Sequence, residues 1–181
     1  MSTETAQSSF AVQSVAVAEA QESVQGDSEL LQLVTFMVAS EEFAIPILSV
    51  QEINRMMQIT RVPQSPGFIE GVINLRGKII PVMDLRKRFN VEPSTDTSAS
   101  RIIVVEVASR VIGFTVDRVN EVLRIKSNIV EPPPSMVSGV DSEYVQGVGK
   151  LDDRLLILLN LDRLFSDEDL TRVDQATNAA A

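Results

Sequence analysis

Residues 71–89, GVINLRGKIIPVMDLRKRF, lie without a gap over residues 147–165, GVGKLDDRLLILLNLDRLF, when the chain is displaced by 76 positions. Gly71, Val72, Leu75, Leu85 and Phe89 meet Gly147, Val148, Leu151, Leu161 and Phe165. Physical roles match even where the letters differ. Arg76-Gly77 and Asp152-Asp153 each fall at a two-residue hairpin turn, where Gly or Asp accepts a positive φ. Asp84 and Asn160 each suit the N-cap of a short helix, whose Leu85/Phe89 or Leu161/Phe165 makes an i, i+4 apolar pair. A weaker echo, displaced by 69, sets VQEINR (50–55) over VNEVLR (119–124), with Val50/Val119, Glu52/Glu121 and Arg55/Arg124 matched. The connection containing Pro132, Pro133 and Pro134 absorbs the difference between the two displacements. Two related units of roughly 60–70 residues follow, each with five strands and a helical turn, and units that small are expected to pack through a shared apolar seam.

The other apolar runs agree with an all-β chain. Residues 31–38, 70–75, 78–83, 101–107, 111–116 and 154–159 are short, β-branched or aliphatic, and separated by Pro, Gly and Asp turn residues. Many short strands joined by tight hairpins indicate small barrels or a sandwich rather than a βαβ sheet. Ser166, followed by Asp167, Glu168 and Asp169, suits the start of a C-terminal helix. Residues 1–28, rich in Ser, Gln, Ala, Thr and Glu, read as a disordered or weakly helical extension. The folded part is expected over 29–173, as two intertwined subdomains at roughly 45–110 and 111–160 plus the N-terminal strand, with 174–181 a flexible tail.

Composition narrows the chemistry. The chain has no Cys and no His, which removes disulfides, thiolate metal sites, thiol nucleophiles, Ser-His-Asp arrangements and histidine phosphorelay. An enzyme would have to rely on a carboxylate pair such as Glu52 with Asp84, on Lys, on Tyr144 or on an oxygen-ligated metal. Neither Asp152-Asp153 nor Asp167 to Asp169 has the ligand spacing of a calcium loop. No metal and no cofactor are expected. Residues 1–54 hold eight acids and no base, whereas residues 55–165 hold fifteen bases and thirteen acids. An acidic chain without a basic stripe argues against a nucleic-acid partner. No stretch is long and apolar enough for direct membrane insertion, and the first residues lack the basic start of an export signal, so a cytoplasmic protein is expected. Seven Phe, one Tyr and no Trp supply poorly the aromatic groove of a proline-rich peptide binder.

Two constellations remain open from the residues alone. Arg76, Lys78 and Arg86-Lys87-Arg88 form the densest basic cluster, either a solvated face or a surface for an acidic partner. Its counterpart, Asp152-Asp153-Arg154 with Asp162, reverses the polarity, so the two units would not bind the same partner equally well. Glu52 and Glu121 are each followed three residues later by an Arg. Each is a surface ion pair with that neighbour, or is held by a more distant base such as Arg76.

Taken together, EFAIPILSVQEI (42–53), ITRVPQSPGFIEGVINLRGKIIPVMDLRKRF (59–89), RVIGFTVDRVNEVL (110–123) and EYVQGVGKLDDRLLILLNLDRLF (143–165) resemble the CheW family of chemotaxis coupling proteins. The resemblance spans about 30–173, and its NLRG-x-I-x-P-x-x-DLR pattern is specific. It implies two five-stranded SH3-like barrels and a non-enzymatic adaptor that joins chemoreceptors to the histidine kinase CheA, at receptor arrays on the inner face of the membrane. It further implies that the first barrel meets a related barrel in the regulatory domain of CheA. The seam between barrels would receive the cytoplasmic tip of the receptor, and other CheW-like domains are a further class of partner. Val50, Glu52, Gly71, Arg76 and Val122 fall at positions that the resemblance associates with partner contacts or their support.

Overall fold

The computed structural model describes residues 29–92, 95–137 and 140–180, so the extension expected over 1–28 lies outside the described residues. Among the described residues there are thirteen strands: β1 (Leu30–Val38), β2 (Glu41–Pro46), β3 (Val50–Arg55), β4 (Ile69–Leu75), β5 (Lys78–Asp84), β6 (Arg101–Val107), β7 (Arg110–Val116), β8 (Arg118–Lys126), β9 (Val130–Glu131), β10 (Met136–Val137), β11 (Val140–Asp141), β12 (Val145–Lys150) and β13 (Leu155–Leu159). Helices are few: the one-turn α1 (Leu85–Arg88) and α2 (Leu161–Leu164), then α3 (Asp167–Ala180). The fold is all-β, in two SH3-like barrels, as expected.

The first sheet has the order β3-β6-β7-β5-β4, and the second has β8-β1-β2-β13-β12-β9. The orders correspond strand for strand. β3 matches β8, the hairpin β6–β7 matches β1–β2, and the hairpin β5–β4 matches β13–β12. Directions correspond too: β5 runs parallel to β7 with Val82 opposite Gly113, and β13 runs parallel to β2 with Ile157 opposite Phe43. By chain order, however, β1–β2 precedes β3, and β6–β7 precedes β8. The two units have therefore exchanged their leading hairpins, each completing the barrel of the other. The exchange explains why the expected break between residues 110 and 111 falls inside a hairpin. β7 stays in the first sheet, bound to β6 and β5, and the second barrel is assembled from 30–46 and 118–159. The second sheet also gains a sixth strand, the two-residue β9, beside β12.

Strands inside such an exchange are buried on both faces, which is why their sequences show apolar runs instead of alternation. Along β6, Ile102 and Val104 fill the first barrel with Ile73, Ile80 and Val82, while Ile103, Val105 and Val107 face the other way. Along β1, Leu33 joins Ala44, Ile125, Leu156 and Leu158 inside the second barrel, while Val34, Phe36 and Val38 face out of it. The outward sets meet in one large core that also holds Phe43, Phe89, Phe114, Leu159 and Phe165. The shared apolar seam is thus built chiefly from the backs of the two exchanged hairpins.

Local chemistry sets the ends of the elements. Arg76 and Gly77 have φ of 52° and 80°, as a type I′ hairpin turn requires. Asp152 and Asp153 do not take positive φ; that hairpin closes instead through Leu151 N–H donating to the Arg154 carbonyl at 2.9 Å. The expected caps are both present. Asp84 Oδ1 accepts from Arg86 N–H at 2.9 Å, and Asn160 Oδ1 accepts from Arg163 N–H at 3.3 Å. Ser166 and Asp169 cap α3 reciprocally, at 3.1 and 3.0 Å. α3 starts as expected but continues through the residues assigned to a flexible tail. Asp174 pairs with Arg110 at 2.9 Å and Ala176 is buried against Val62 and Val72, so the helix lies across the first barrel.

The basic run in α1 is engaged in pairing within the fold, although Lys87 stays exposed. Arg86 is 7% exposed and lies 3.1 Å from Asp84, 3.3 Å from Asp96 and 3.4 Å from Asp117. Asp117 in turn accepts from Ala39 N–H at 2.6 Å, linking the β1–β2 turn to the network. Burial works against the Arg86 charge, but the Asp84 hydrogen bond and the three carboxylates outweigh it and strengthen its hold on the proton. Lys87 pairs with Glu70 at 2.9 Å. Arg88 donates to the Leu164 carbonyl and to Asp169, and its guanidinium lies over Phe68 and Tyr144.

Candidate interaction site

β3 is an edge strand of the first barrel, and the β4–β5 hairpin brings Arg76 to it. The positive φ at Arg76 and Gly77 makes this turn tight, and Asn74 Oδ1 accepts from Gly77 N–H at 2.9 Å to fix its tip. From there Arg76 grips Glu52 with both guanidinium arms, Nη1 to Oε2 at 2.8 Å and Nη2 to Oε1 at 3.2 Å. Asn54 adds a third hydrogen bond to Oε1 at 2.7 Å. The Arg76 bonds first, and then the Asn54 bond, hold the Glu52 carboxyl below the ordinary carboxylate range. Arg76 itself remains 75% exposed, so its free edge faces solvent with a fixed direction. Between Glu52 and Asn54, Ile53 is 41% exposed on the same strand.

The second barrel repeats this device. Glu121 on the edge strand β8 accepts from Arg154 Nη2 at 2.5 Å, and Arg154 comes from the matching hairpin. Arg154 Nε lies 3.0 Å from Glu42 Oε2 but its N–H is not aimed at that oxygen, while Asn120 donates to Glu42 Oε1 at 2.9 Å. In both units the glutamate is thus held by the distant hairpin arginine and not by the arginine three residues on. The expected reversal of polarity is only partial, because Arg154 restores a base beside the exposed Asp152 and Asp153.

The remaining residues singled out in the sequence divide by role. Val50 is half-buried against the shared core at the start of β3. Gly71, with φ of 153°, has no room for a side chain: a Cβ there would lie 2.2 Å from the Thr60 carbonyl oxygen. The segment at Thr60 docks on β4 through two backbone hydrogen bonds with Val72, at 2.9 and 2.8 Å, and Gly71 permits that approach. Gly71 is thus a packing position of β4, facing the Thr60 segment. Val122 lies on the other barrel, 55% exposed beside Glu121, and Leu155 is exposed there too.

A second surface escaped the sequence reading. Where the turn Ile47–Ser49 carries the chain from β2 into β3, a groove of about 350 Å³ opens, lined by Leu30, Leu31, Ala44, Ile47, Leu48 and Leu158 among others. Leu48 is 97% exposed, which no folding requirement explains. Displacing the chain by 69 sets Leu48 over Asp117, an apolar residue where its repeat partner is charged, and that contrast was the available signal.

A rigid core with a braced ionic edge, a second edge of the same pattern and an open apolar groove describes a protein interaction module. Its class is that of scaffolds built from paired SH3-like barrels. The chain belongs to the CheW-like family: the CheW-like domain model matches residues 32–169. A probable chemotaxis protein CheW of Rhizobium etli is 36% identical over 143 residues, covering 79% of this chain and 90% of that protein. The chemotaxis protein CheW of Klebsiella aerogenes is 36% identical over 154 residues, covering 85% and 93%. Among solved structures, the scaffolding protein TtCheW from Thermoanaerobacter tengcongensis superposes with a TM-score of 0.72 at 41% identity, covering 80% of this chain and 93% of that one. The chain is accordingly a chemotaxis scaffold of the CheW type. No helix of the described residues is long and apolar enough to cross a membrane.

Proposed function

We propose that the chain acts without catalysis, holding the cytoplasmic tip of a chemoreceptor and the regulatory domain of the histidine kinase CheA in fixed relation at the receptor array. The Glu52–Arg76 edge of the first barrel docks on a related barrel of the kinase, and the groove at Leu48 takes the receptor helices. The observation that carries this reading is the bidentate pair itself. A guanidinium that is braced from behind yet 75% exposed loses little side-chain freedom when a partner covers it, which favours its use at an interface. Val50 holds that edge in place, Gly71 serves the packing of β4, and Val122 belongs to a separate contact on the second barrel. Because both barrels share one core, a small displacement of a receptor on one surface reaches the kinase on the other as rigid-body motion. Several modest interfaces then reinforce one another in an array.

The test is autophosphorylation of CheA in the presence of receptor-bearing membranes, with and without this protein. Stimulation that requires all three components and is lost with Arg76→Glu is expected. Full stimulation by the Arg76→Glu protein would overturn the assignment of the kinase edge.

A further inference from the structure

Between β1 and β13 the chain crosses from one barrel to the other twice, and the two crossings are built differently. At the second, Asp117 alone separates β7 from β8: Val116 pairs with Arg101 in the first sheet, and Arg118 with Met37 in the second. The backbone N–H of Asp117 donates to the Met37 carbonyl at 3.0 Å, and its Oδ2 accepts from Ala39 N–H at 2.6 Å. Met37 and Ala39 both belong to the β1–β2 hairpin of the second barrel. The other oxygen, Oδ1, accepts from Arg86 Nη1 at 3.4 Å, and Arg86 stands on the first barrel, braced by Asp84 at 3.1 Å. One residue at the crossing therefore holds a fixed point on each barrel. The first crossing, at Ile47–Ser49, lacks the charged groups for such a contact. The repeat sets Leu48 over Asp117 and the exposed Asp162 over Arg86, and this crossing bears the apolar groove instead.

Apolar contacts in the shared core are non-directional, whereas charge-assisted hydrogen bonds fix geometry. We propose that Arg86 and Asp117 form an ionic pin that sets the angle between the barrels, which makes them positioning residues for coupling. The pin stands on the contacts themselves. Its consequence for signalling rests on the function proposed above, in which receptor and kinase are held in fixed relation.

The chain has no cysteine, so Lys78→Cys in β5 and Lys126→Cys in β8 place one nitroxide on each barrel of the full-length protein. Asp117→Ala cuts the pin while leaving Arg86 its other carboxylates, Asp84 and Asp96. Arg86→Met with Asp117→Asn removes the two charges of the pin together, so that Asp117 is not stranded. The expected result for both is a broadened distance distribution between the barrels in pulsed electron spin resonance. A second pair inside the second barrel, Lys126→Cys with Lys150→Cys, should keep the parent distribution. A distribution between the barrels as narrow as the parent's, or equal broadening of the pair inside the second barrel, would overturn the pin. Stimulation of CheA autophosphorylation should fall by about 2–30-fold in both variants. Binding of a soluble receptor fragment and of the kinase regulatory domain, each measured alone, should stay within about twofold of the parent. Broadening with full stimulation would uphold the pin and overturn its role in coupling. If the parent itself fails to stimulate the kinase, the function proposed above falls, and the distance measurement still decides the pin.

Discussion

Replacing Gly71 by Ala tests whether the first barrel depends on the close approach of the Thr60 segment to β4. The new Cβ would lie 2.2 Å from the Thr60 oxygen, 2.7 Å from the Thr60 carbonyl carbon and 2.9 Å from Ile59 Cγ2. Two of these three atoms are backbone, so the segment at Thr60 must move away and give up its paired bonds to Val72. A side chain at φ of 153° is strained in addition. Strain of about 1–3 kcal/mol and about 0.5–1.5 kcal/mol for each of the two lost hydrogen bonds sum to roughly 2–6 kcal/mol. For a domain of this size that lowers Tm by about 4–24 °C. Gly67→Ala is the control, because a Cβ there meets nothing within 4 Å. Its effect should stay within about 0.5 kcal/mol. Gly147→Ala should fall between, since its closest neighbour, Val130 Cγ1 at 2.5 Å, is a side-chain atom and its one close backbone atom, the Glu131 oxygen, lies at 2.9 Å, against 2.2 Å at Gly71. Urea unfolding followed by far-UV circular dichroism measures all three. If Gly71→Ala and Gly67→Ala have the same midpoint, the docking of the Thr60 segment contributes nothing and the account of Gly71 is wrong.

Arg86→Met strands Asp84 and Asp117 without their shared cation, and loss of one partner from a buried ion network costs about 3–5 kcal/mol in urea unfolding; adding Asp117→Asn should recover part of it, and no recovery would mean that Asp117 is not the uncompensated charge. For pH dependence, burial raises the Asp169 carboxyl, but the Ser166 N–H and hydroxyl and then Arg88 outweigh it and leave it lowered, as Glu52 is by Arg76 and Asn54. A carboxyl with a lowered folded value contributes stability that is complete above its unfolded pKa of about 4 and is lost as pH falls through the folded value. Asp169→Asn should therefore flatten the acid limb of a stability-against-pH curve below about pH 4, and an unaltered limb would contradict the assignment. Exchanging the charges, with Glu52→Lys and Arg76→Glu together, should leave Tm near the parent value without restoring kinase stimulation; restored stimulation would mean that the pair serves only to brace itself.

The legible parts of the fold were those with a local chemical signature. Asp84 and Asn160 announced helix caps, Arg76-Gly77 announced a hairpin, and runs such as RIIVVEV announced buried strands. The exchange of hairpins was legible only as two intertwined subdomains sharing the N-terminal strand, although it had left a fuller mark. At the same displacement of 69 that aligned Glu52 with Glu121, Val38-Ala39-Ser40 lies over Val107-Ala108-Ser109, and Ala39 and Ala108 share positive φ of 54° and 49°. That match shows that two hairpins are related, but not which barrel each enters, since pairing is decided by contacts remote in sequence. The basic run in α1 failed for a similar reason. Charge invites an assignment to the surface, and only the arrival of Asp96 and Asp117 from distant loops makes Arg86 a buried group. At the interaction edge, Glu52 and Arg76 were each identified, and their pairing depended on a hairpin crossing to a neighbouring strand.

The hairpin exchange also dictates the order in which the molecule can be completed on a ribosome. When β5 has been made, β3, β4 and β5 lack the strands that should lie between them, and β1–β2 has no sheet of its own to join. The first barrel must wait for Val116, and the second for Leu159, near the end of the chain. At 5–20 residues per second, the aromatic hairpin carrying Phe36 and Phe43 stays without its β13 neighbour for about 5–20 s. Over that interval the chain presents two aromatic side chains that the finished molecule buries, so its demand on chaperones is set by topology and outlasts completion of the first barrel.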